Sequence, residues 1–393
     1  MTSIIELEDK LNSLKTEDKE SYKIFKRIYS VYSGTGTMKI PPGLKNKVVG
    51  YFSTKDESGN PTETQKQVLY KLENQKIVKT FNRWTGEGAL FNYMRTNRPG
   101  MGKKDLKNQK NKLSQLINDS RKNCDFCQPD QYTPEDVFGR IKGKHSITAS
   151  NIAKYDVWSS LVIFKNHNPL KFTLEELSDY IDTGFHWFDK VFQTDETYKC
   201  PFFVWNCLYK AGASQIHGHA QILMGKDIPY AKVEVLKRAQ SNYQKRYHEK
   251  SHKGLDPHYF QDLYQAHHAL GLGYTVDGVS LYTSITPAKE KEITILPPES
   301  PSTHKNSKKV IFNILRCFID VLGVHSYNLS IYCPPRDREY DFPYLIKIVD
   351  RGSIFRPPAD MGGMELFGST VVADDPYEII HHIIEYFKIH EIE

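Results

Sequence analysis

The chain has 393 residues, 53 of them Lys or Arg and 47 Asp or Glu, which gives a formal net charge of +6. This mild charge, without basic repeats or an aromatic platform, argues against a nucleic-acid-binding protein. Hydrophobic residues make up 39% of the chain, enough for a large core, and no apolar run is long enough to span a membrane.

Local patterns predict several elements along the first half of the chain. Residues 1 to about 35 are charged and carry apolar residues at helical spacing, which predicts an amphipathic helical element. Residues 36 to 75 mix Gly, Pro and polar clusters with short Val, Tyr and Phe runs, a pattern typical of loops and hairpins. Residues 174 to 192 form the clearest helix, because Thr173 can cap it and Glu176 completes a capping box.

The second half repeats the order of the first half weakly. Residues 231 to 270 are polar and helix-prone and are expected to connect the two halves. A strand at 279–282 follows, then a helix near 305–322, and then strands at 329–332 and 345–349. The sequence therefore alternates strands and helices on both sides of a helical connector.

The segment 212–223 sets polar side chains two residues apart. On a strand, His217, His219 and Gln221 lie on one face, and the small residues between them let the other face pack closely. Such a pair alone is weak evidence in a chain with fifteen histidines, and we interpret His267-His268 as a solvated helix face. The segment gains weight from a second motif upstream.

A Cys-x-x-Cys pair, Cys124 and Cys127, can hold one metal ion from a tight turn. A redox motif, a disulfide and two unrelated thiols are the alternatives. The disulfide is disfavoured, because six cysteines and no secretory segment at the start suggest the reducing cytoplasm. His167 follows an apolar run that predicts a buried strand, so a loop at the strand end could present it. The proposed zinc ligands are therefore Cys124, Cys127, His167 and His217. Four protein ligands leave no open position, which makes the zinc structural.

These motifs resemble those of the galactose-1-phosphate uridylyltransferase family of the histidine-triad superfamily. The shared pattern is Cys-x-x-Cys, a histidine after a strand, and Asn, ten residues, His-x-His-x-Gln, within a resemblance over roughly residues 75 to 375. That family binds zinc through two cysteines and two histidines in this order. The resemblance implies that His217 is a zinc ligand and that His219 is the catalytic nucleophile.

The resemblance also implies a fold and a domain organisation. It predicts an α+β protein made of two histidine-triad half-units, with largely antiparallel sheets flanked by helices. We expect an N-terminal helical and loop extension at 1–75, a catalytic half with the zinc site at 76–235, a helical connector at 236–275 and a degenerate second half at 276–393.

Further site residues follow from the resemblance. The segments 82–87 and 95–99 are similar to an early family segment in which an arginine helps to bind nucleotide phosphates. A late segment that contributes sugar contacts resembles 362–365, although Val371 stands where the family has a glutamine, which departs from the galactose-specific pattern. The substrate-binding residues expected on these grounds are Arg83, Asn206, Ser214, Gln215 and Glu365.

The residue types at this site suit double displacement. A neutral imidazole is a good nucleophile toward phosphorus, and its phosphoryl adduct is labile enough to be attacked again. The resemblance implies that His219 attacks the α-phosphorus of a nucleoside diphosphate sugar, while Gln221 donates to an oxygen on which negative charge accumulates. Many histidine-triad hydrolases have a third histidine at the position of Gln221, and the resemblance implies that glutamine there favours transfer over hydrolysis.

Three functions remain open from the sequence. The first is a nucleotidyltransferase or phosphorylase that passes the nucleotidyl group from a nucleotide sugar to a sugar 1-phosphate or to inorganic phosphate. The second is a diadenosine tetraphosphate phosphorylase, suggested by the pair Ser214-Gln215. The third is a non-catalytic nucleotide-binding relative. The expected partners are a nucleotide sugar or dinucleotide and a second copy of the chain, since family members are often dimers, with neither nucleic acid nor membrane.

Overall fold

The structure is a computed structural model that describes residues 2–53, 60–97, 106–248, 257–337, 341–355 and 361–391. Within these ranges the chain forms a four-stranded sheet and a nine-stranded sheet, with helices around both. None of the helices in these ranges combines the length and apolar character that a membrane crossing requires.

The helices and strands alternate along the chain. The elements before the catalytic segment are α1 (Leu7–Glu17), α2 (Lys19–Ile28), β1 (Tyr29–Thr37), α3 (Pro42–Phe52), α4 (Gln65–Glu73), β2 (Asn74–Asn82), β3 (Gly88–Phe91) and α5 (Leu106–Asp119). The next elements are α6 (Pro129–Tyr132), β4 (Ser146–Ser150), β5 (Trp158–Phe164), α7 (Leu174–Thr194), β6 (Cys200–Cys207) and β7 (His219–Gly225). The remaining elements are α8 (Ala231–Tyr247), α9 (Tyr259–Ala269), β8 (Gly273–Val276), β9 (Val279–Thr283), β10 (Ile293–Leu296), α10 (Lys305–Arg316), β11 (Tyr327–Tyr332), β12 (Leu345–Asp350), α11 (Gly363–Phe367), β13 (Thr370–Val372) and α12 (Pro376–Ile389).

The nine-stranded sheet is built from two similar halves. Its strand order is β4-β5-β7-β6-β11-β12-β10-β9-β8, and every neighbouring pair is antiparallel. From the central pair β6 and β11 outward, each half adds its strands in the same sequence, and each half has a helix, α7 or α10, at the same point of the chain. The duplicated α+β fold with largely antiparallel sheets is confirmed.

The helix α7 packs closely on one face of the first half of the sheet. The helix begins at the predicted capping box of Thr173 and Glu176. A Cβ at Gly184 of α7 would lie 3.0 Å from the Phe203 ring and 3.3 Å from Ile222, so the helix backbone packs directly on β6 and β7. Because successive strand residues alternate in direction, the side chain of Gln221 lies on the opposite face. The candidate site therefore lies on the face of the first half of the sheet that α7 does not cover.

One row of paired residues crosses the four central strands and relates the two halves. Gln221 lies opposite Val204, Val204 opposite Ser330, and Ser330 opposite Lys347. The counterpart of Gln221 in the second half is thus Lys347, whose Nζ lies 3.2 Å from the buried carboxylate of Glu292. Burial acts to lower the pKa of Lys347, but the carboxylates of Glu292 and Glu87 outweigh it, so the ammonium stays charged.

The four-stranded sheet joins the two ends of the chain. Its order is β1-β2-β3-β13, and β13 runs parallel to β3. The Asp375 carboxylate caps α12 and also accepts the backbone N–H of Ile4 at 3.0 Å. This sheet includes strands from the first, second and fourth of the domain ranges expected from the sequence. The four ranges themselves stay a prediction.

Three local predictions in the sequence are wrong. The helical element predicted for residues 1 to about 35 is confirmed as far as Ile28, but residues 29–37 form a strand, because β1 pairs along its whole length with β2. Residues 36–75 contain two helices besides loops, the first opened by Pro42 and the second by a capping box of Thr64 and Gln67. His267 is buried and stacks on Tyr282, with ring centroids 4.1 Å apart, so of the two neighbouring histidines only His268 is exposed.

Candidate functional site

Four side chains predicted to bind zinc meet beside β7. The Nδ1 atom of His217 lies 3.3 Å from the Cys124 sulfur, 3.5 Å from the Cys127 sulfur and 3.1 Å from Nδ1 of His167. One donor atom from each of the four residues lies within 4.8 Å of the others. Cys124 precedes a short 3-10 turn, Asp125–Cys127, and Cys127 ends it, which holds the Cys-x-x-Cys segment compact.

The two histidines are oriented by bonds on their far sides. The Nε2–H of His217 donates to the Phe164 carbonyl at 2.7 Å, and the Nε2–H of His167 donates to the Ile117 carbonyl at 3.0 Å. A carbonyl oxygen can only accept, so each ring carries its proton on Nε2 and directs the Nδ1 lone pair toward the sulfurs. Burial lowers the pKa of His217 to about 4, which keeps this ring neutral as a metal ligand must be.

The donor set fits a tetrahedral zinc ion. Zinc–sulfur bonds of about 2.3 Å and zinc–nitrogen bonds of about 2.0–2.1 Å place tetrahedral ligand atoms roughly 3.3–3.8 Å apart. The distances around His217 are close to this range. Burial and the neighbouring Cys127 raise the pKa of Cys124 to about 11, so a bound cation is what favours the thiolates. Neither a redox motif nor a disulfide would explain why both imidazole lone pairs are directed toward the cysteine sulfurs.

His219 begins β7 with its imidazole held in one tautomer. Its Nδ1–H donates to the carbonyl of His217 at 2.8 Å, which leaves the lone pair on Nε2. Burial lowers the pKa of His219, and the hydrogen bond to His217 opposes this shift only in part. The ring of Phe126 packs edge-on against His219, with centroids 5.2 Å apart. The result is a neutral, oriented imidazole, which is the form that can act as a nucleophile.

Gly218 allows the strand to approach its neighbours between these two histidines. A Cβ at this position would lie 2.5 Å from Cδ2 of Phe164 and 3.3 Å from the Cα of Pro169. No side chain fits in that space, so glycine is required for His217 and His219 to keep their places. The sequence showed a small residue here, and the structure shows that only glycine is small enough.

Gln221 lies two residues farther along the same face. Its Nε2 lies 3.4 Å from the hydroxyl oxygen of Tyr155, and its buried Oε1 has no hydrogen-bond partner among the described residues. A buried amide that is only partly satisfied within the protein is suited to bind a polar ligand. Tyr155, on the exposed loop between β4 and β5, was not predicted, because nothing in its local sequence marks it.

A strained loop connects β6 to β7 and carries the other predicted contacts of the first half. Leu208 adopts φ 66° and Gly212 φ 91°, the first of them unusual for a leucine. Ser214 and Gln215 are exposed on this loop. Asn206, two residues beyond Val204 in β6, shares the face of the sheet on which Gln221 and His219 lie.

Arg83 and Glu365 lie elsewhere. Arg83 is exposed in the turn after β2, and its Nε–H donates to the Ser30 hydroxyl at 2.9 Å. Glu365 pairs with Lys289 near β13. Within the described ranges, neither side chain forms a hydrogen bond or an ion pair with His219 or with the four grouped ligands. The second part of the predicted arginine segment, at residues 98–99, lies outside the described residues.

Comparison with known proteins gives the fold a place. A scan of family profiles and a search of the curated proteins find no match to the sequence. An ADP-glucose phosphorylase from Arabidopsis thaliana, solved with bound ADP-glucose, matches 77% of this chain and 96% of its own, with a TM-score of 0.56 and 14% identity. A GalT-like protein from the same plant matches 67% of this chain and 92% of its own, with a TM-score of 0.51 and 16% identity.

The chain has the GalT-like fold. This agrees with the duplicated sheet and with the position of His219 and Gln221 on a central strand of its first half. A yeast Ap4A phosphorylase solved with AMP matches 88% of this chain and 93% of its own at 15% identity, but its TM-score of 0.33 is too low to weigh between functions. At these identities the likeness concerns the fold, and the activity is argued from the side chains of the site.

Proposed function

We propose that the protein is a nucleotidyltransferase that acts on a nucleoside diphosphate sugar through a nucleotidyl-histidine intermediate. The observation that carries this proposal is the state of His219, whose Nδ1–H is bound to a carbonyl while its Nε2 lone pair lies on the sheet face shared with Gln221. The ADP-glucose bound to the Arabidopsis phosphorylase supports a donor of this class.

Two displacements make up the reaction. In the first, the Nε2 lone pair of His219 forms a bond to the α-phosphorus, and the bond from that phosphorus to the bridging oxygen breaks, so that the sugar 1-phosphate leaves with the electron pair. In the second, a phosphate oxygen of the acceptor attacks the same phosphorus, and the imidazole leaves as the neutral ring. A sugar 1-phosphate or inorganic phosphate serves as the acceptor.

Neutral donors stabilise the charge that develops on the non-bridging oxygens. Gln221 and Asn206 flank His219 on one face of the sheet, and Ser214 lies on the loop that leads into β7. Fixed donors of this kind commonly contribute about 10²–10³ in rate each, since they need no rearrangement as the charge forms. Together with His219 they are the residues that we assign to the reaction, and Gln215 extends the loop surface for the substrate.

Zinc has a structural role in this proposal. Cys124, Cys127, His167 and His217 provide four ligands that fit a tetrahedral ion, so no position remains for water or substrate. The bound ion would tie the Cys-x-x-Cys turn, with Phe126 on it, to the start of β7. The orientation of His219 would then depend on the metal without any chemical step passing through it.

Arg83 and Glu365 would reach the substrate from a second copy of the chain. Both were expected to bind substrate, and both lie apart from His219 within one described chain. A homodimer in which one chain presents these residues to the other's site would reconcile the two facts. Cross-linking of the protein in solution, followed by mixing of Arg83→Ala and His219→Ala chains, tests this arrangement, since restored turnover requires a shared site.

A diadenosine tetraphosphate phosphorylase is the second candidate. The exposed pair Ser214-Gln215 before His217 favours it, because this pair belongs to the pattern shared with such enzymes. The chemistry at His219 is the same, and only the donor differs. A non-catalytic relative is the third reading, and the intact His219 and Gln221 argue against it.

The deciding experiment is intact-protein mass spectrometry after brief incubation with UDP-, ADP- and GDP-sugars and with diadenosine tetraphosphate. A mass gain of one nucleotidyl group, lost in His219→Ala and kept in His268→Ala, is expected and names the base. His268 is an exposed histidine outside the site and provides the matched control. No gain with any donor contradicts the proposed function and leaves the non-catalytic reading.

A further inference from the structure

A chain of hydrogen bonds crosses from the second half into the site. The halves meet where β6 pairs with β11, and in this register Asn206 lies opposite Asn328. Asn328 Nδ2 donates to Oδ1 of Asn206 at 2.7 Å and to the carbonyl of Ala211 at 2.8 Å. Its own Oδ1 accepts from Nη1 of Arg351 at 2.6 Å, just beyond the end of β12.

This network allows only one orientation of the Asn328 amide. Both hydrogens of its Nδ2 point at acceptors, and its Oδ1 faces a guanidinium, which can only donate. A flipped amide would bring Oδ1 against the oxygens of Asn206 and Ala211, and would turn Nδ2 toward Arg351. Three bonds would be lost together, so the orientation is fixed by the protein alone.

The orientation of Asn328 determines what Asn206 can offer. Because the Asn206 Oδ1 already accepts a hydrogen bond, its Nδ2 is left as the free end of the amide, and within the described part of the chain this group donates to no protein acceptor. Val204 lies opposite Gln221, so Asn206, two residues on, lies on the same face beside His219. The two hydrogens of the Asn206 amide are thus left available on the face of the sheet that carries His219.

We propose that Asn328 and Arg351 are positioning residues that hold Asn206 as a hydrogen-bond donor to a non-bridging oxygen of the reacting phosphoryl group. The proposal rests on the proposed function, since it names the ligand of Asn206 as that phosphate. The second hydrogen of Asn328 also fixes the carbonyl of Ala211, which secures the strained loop after Leu208. The second half of the fold therefore contributes to the site without touching the substrate.

Asn328→Asp is the direct test because the two side chains have the same shape. The new carboxylate keeps its pairing with Arg351 but sets a second acceptor against the Asn206 Oδ1, so the Asn206 amide rotates and presents oxygen to the phosphate. The rate constant for nucleotidyl-adduct formation is expected to fall about 10²–10³-fold, the usual effect of losing one fixed donor in the transition state, while KM changes less. Asn313→Asp is the matched control, since Asn313 Nδ2 also donates to a backbone carbonyl, at 2.7 Å in α10, away from the site.

A double-mutant cycle separates positioning from a merely structural role. If Asn328 acts mainly through Asn206, Asn328→Asp slows the Asn206→Ala protein far less than it slows the wild-type protein. Multiplied losses in rate would overturn the proposal. Arg351→Lys and Arg351→Met provide a second comparison that does not alter the β6–β11 seam, and lysine is expected to retain most of the rate that methionine loses.

The outcomes distinguish the two proposals. A wild-type protein that forms the adduct, together with an Asn328→Asp variant within about threefold of it in rate, overturns the positioning role and leaves the proposed function standing. A wild-type protein that forms no adduct with any of the donors overturns the proposed function and the positioning role with it. Loss of rate in Asn313→Asp equal to that in Asn328→Asp also overturns the role, since it would show a general effect on stability.

Discussion

Replacing Gly218 by alanine tests how closely the metal ligand and the nucleophile are positioned. The new Cβ would lie 2.5 Å from Cδ2 of Phe164, whereas non-bonded carbon atoms rest about 3.5–4.0 Å apart, so the two must separate by about 1 Å. The ring cannot move far, because it stacks on Tyr180 with centroids 3.7 Å apart and meets the Trp205 ring at 4.9 Å. The other neighbour is the backbone of Pro169.

The strain therefore falls on the segment that holds His217 and His219. Overpacking of this kind destabilises a protein by about 1–3 kcal/mol. A displacement of about 1 Å at a reacting group can lower the rate about 100-fold. We expect Gly218→Ala to lower the melting temperature and the zinc content together and to slow adduct formation by about two orders of magnitude.

Gly43→Ala is the control for this variant. It makes the same chemical change on the exposed first turn of α3, where a Cβ would meet no atom within 4 Å. Differential scanning fluorimetry, zinc analysis by mass spectrometry and the adduct assay are run on both proteins. A Gly218→Ala protein with wild-type melting, zinc and rate would show that Phe164 yields freely, and would refute the steric reasoning.

Four further variants test other parts of the site. His219→Ala should abolish the adduct while zinc content and melting stay at wild-type values, and a retained adduct would remove it as nucleophile. Cys124→Ala should lower zinc content and melting temperature together, since metal binding and folding are coupled, and full zinc content would contradict the ligand set. Gln221→Ala should lower kcat by about 10²–10³ with little change in nucleotide binding, as measured by stopped-flow kinetics and calorimetry. Lys347→Met should destabilise the fold by about 1–3 kcal/mol in urea denaturation, because it leaves the Glu292 carboxylate buried without its partner, and unchanged stability would show that this charge is solvated.

The sequence predicted the parts of the site that depend on local spacing. The alternation around His219 follows from strand geometry alone, and the helix that begins after Thr173 is marked by its own capping box. The Cys-x-x-Cys motif indicated a metal, although the meeting of Cys124 with His217 depends on the fold. The two cysteines and the two histidines could be assigned to one metal ion because few other residues offer suitable ligands at suitable positions.

Features that depend on distant partners could not be predicted in the same way. The segment Tyr29–Thr37 becomes a strand because Asn74–Asn82 lies beside it. The residues before it have helical spacing, and nothing in the segment itself marks where that helical pattern ends. His267 is buried because Tyr282 of β9 stacks on it and Tyr29 packs edge-on against it. Asn328 and Arg351 have no motif of their own, since their importance arises from the register between β6 and β11. Periodicity within one segment contains no information on such pairings.

The parallel pairing of β3 with β13 has a consequence for the order of folding. The strands β4 to β7, with the cysteines and histidines around them, can all pair once the ribosome has released residues up to Gly225. The four-stranded sheet must wait for Thr370–Val372, so its closure joins residues at opposite ends of the chain and has a high loop-closure cost. The half that carries His219 can therefore pair first during synthesis, and β3 remains without its parallel partner until Thr370–Val372 has been synthesised.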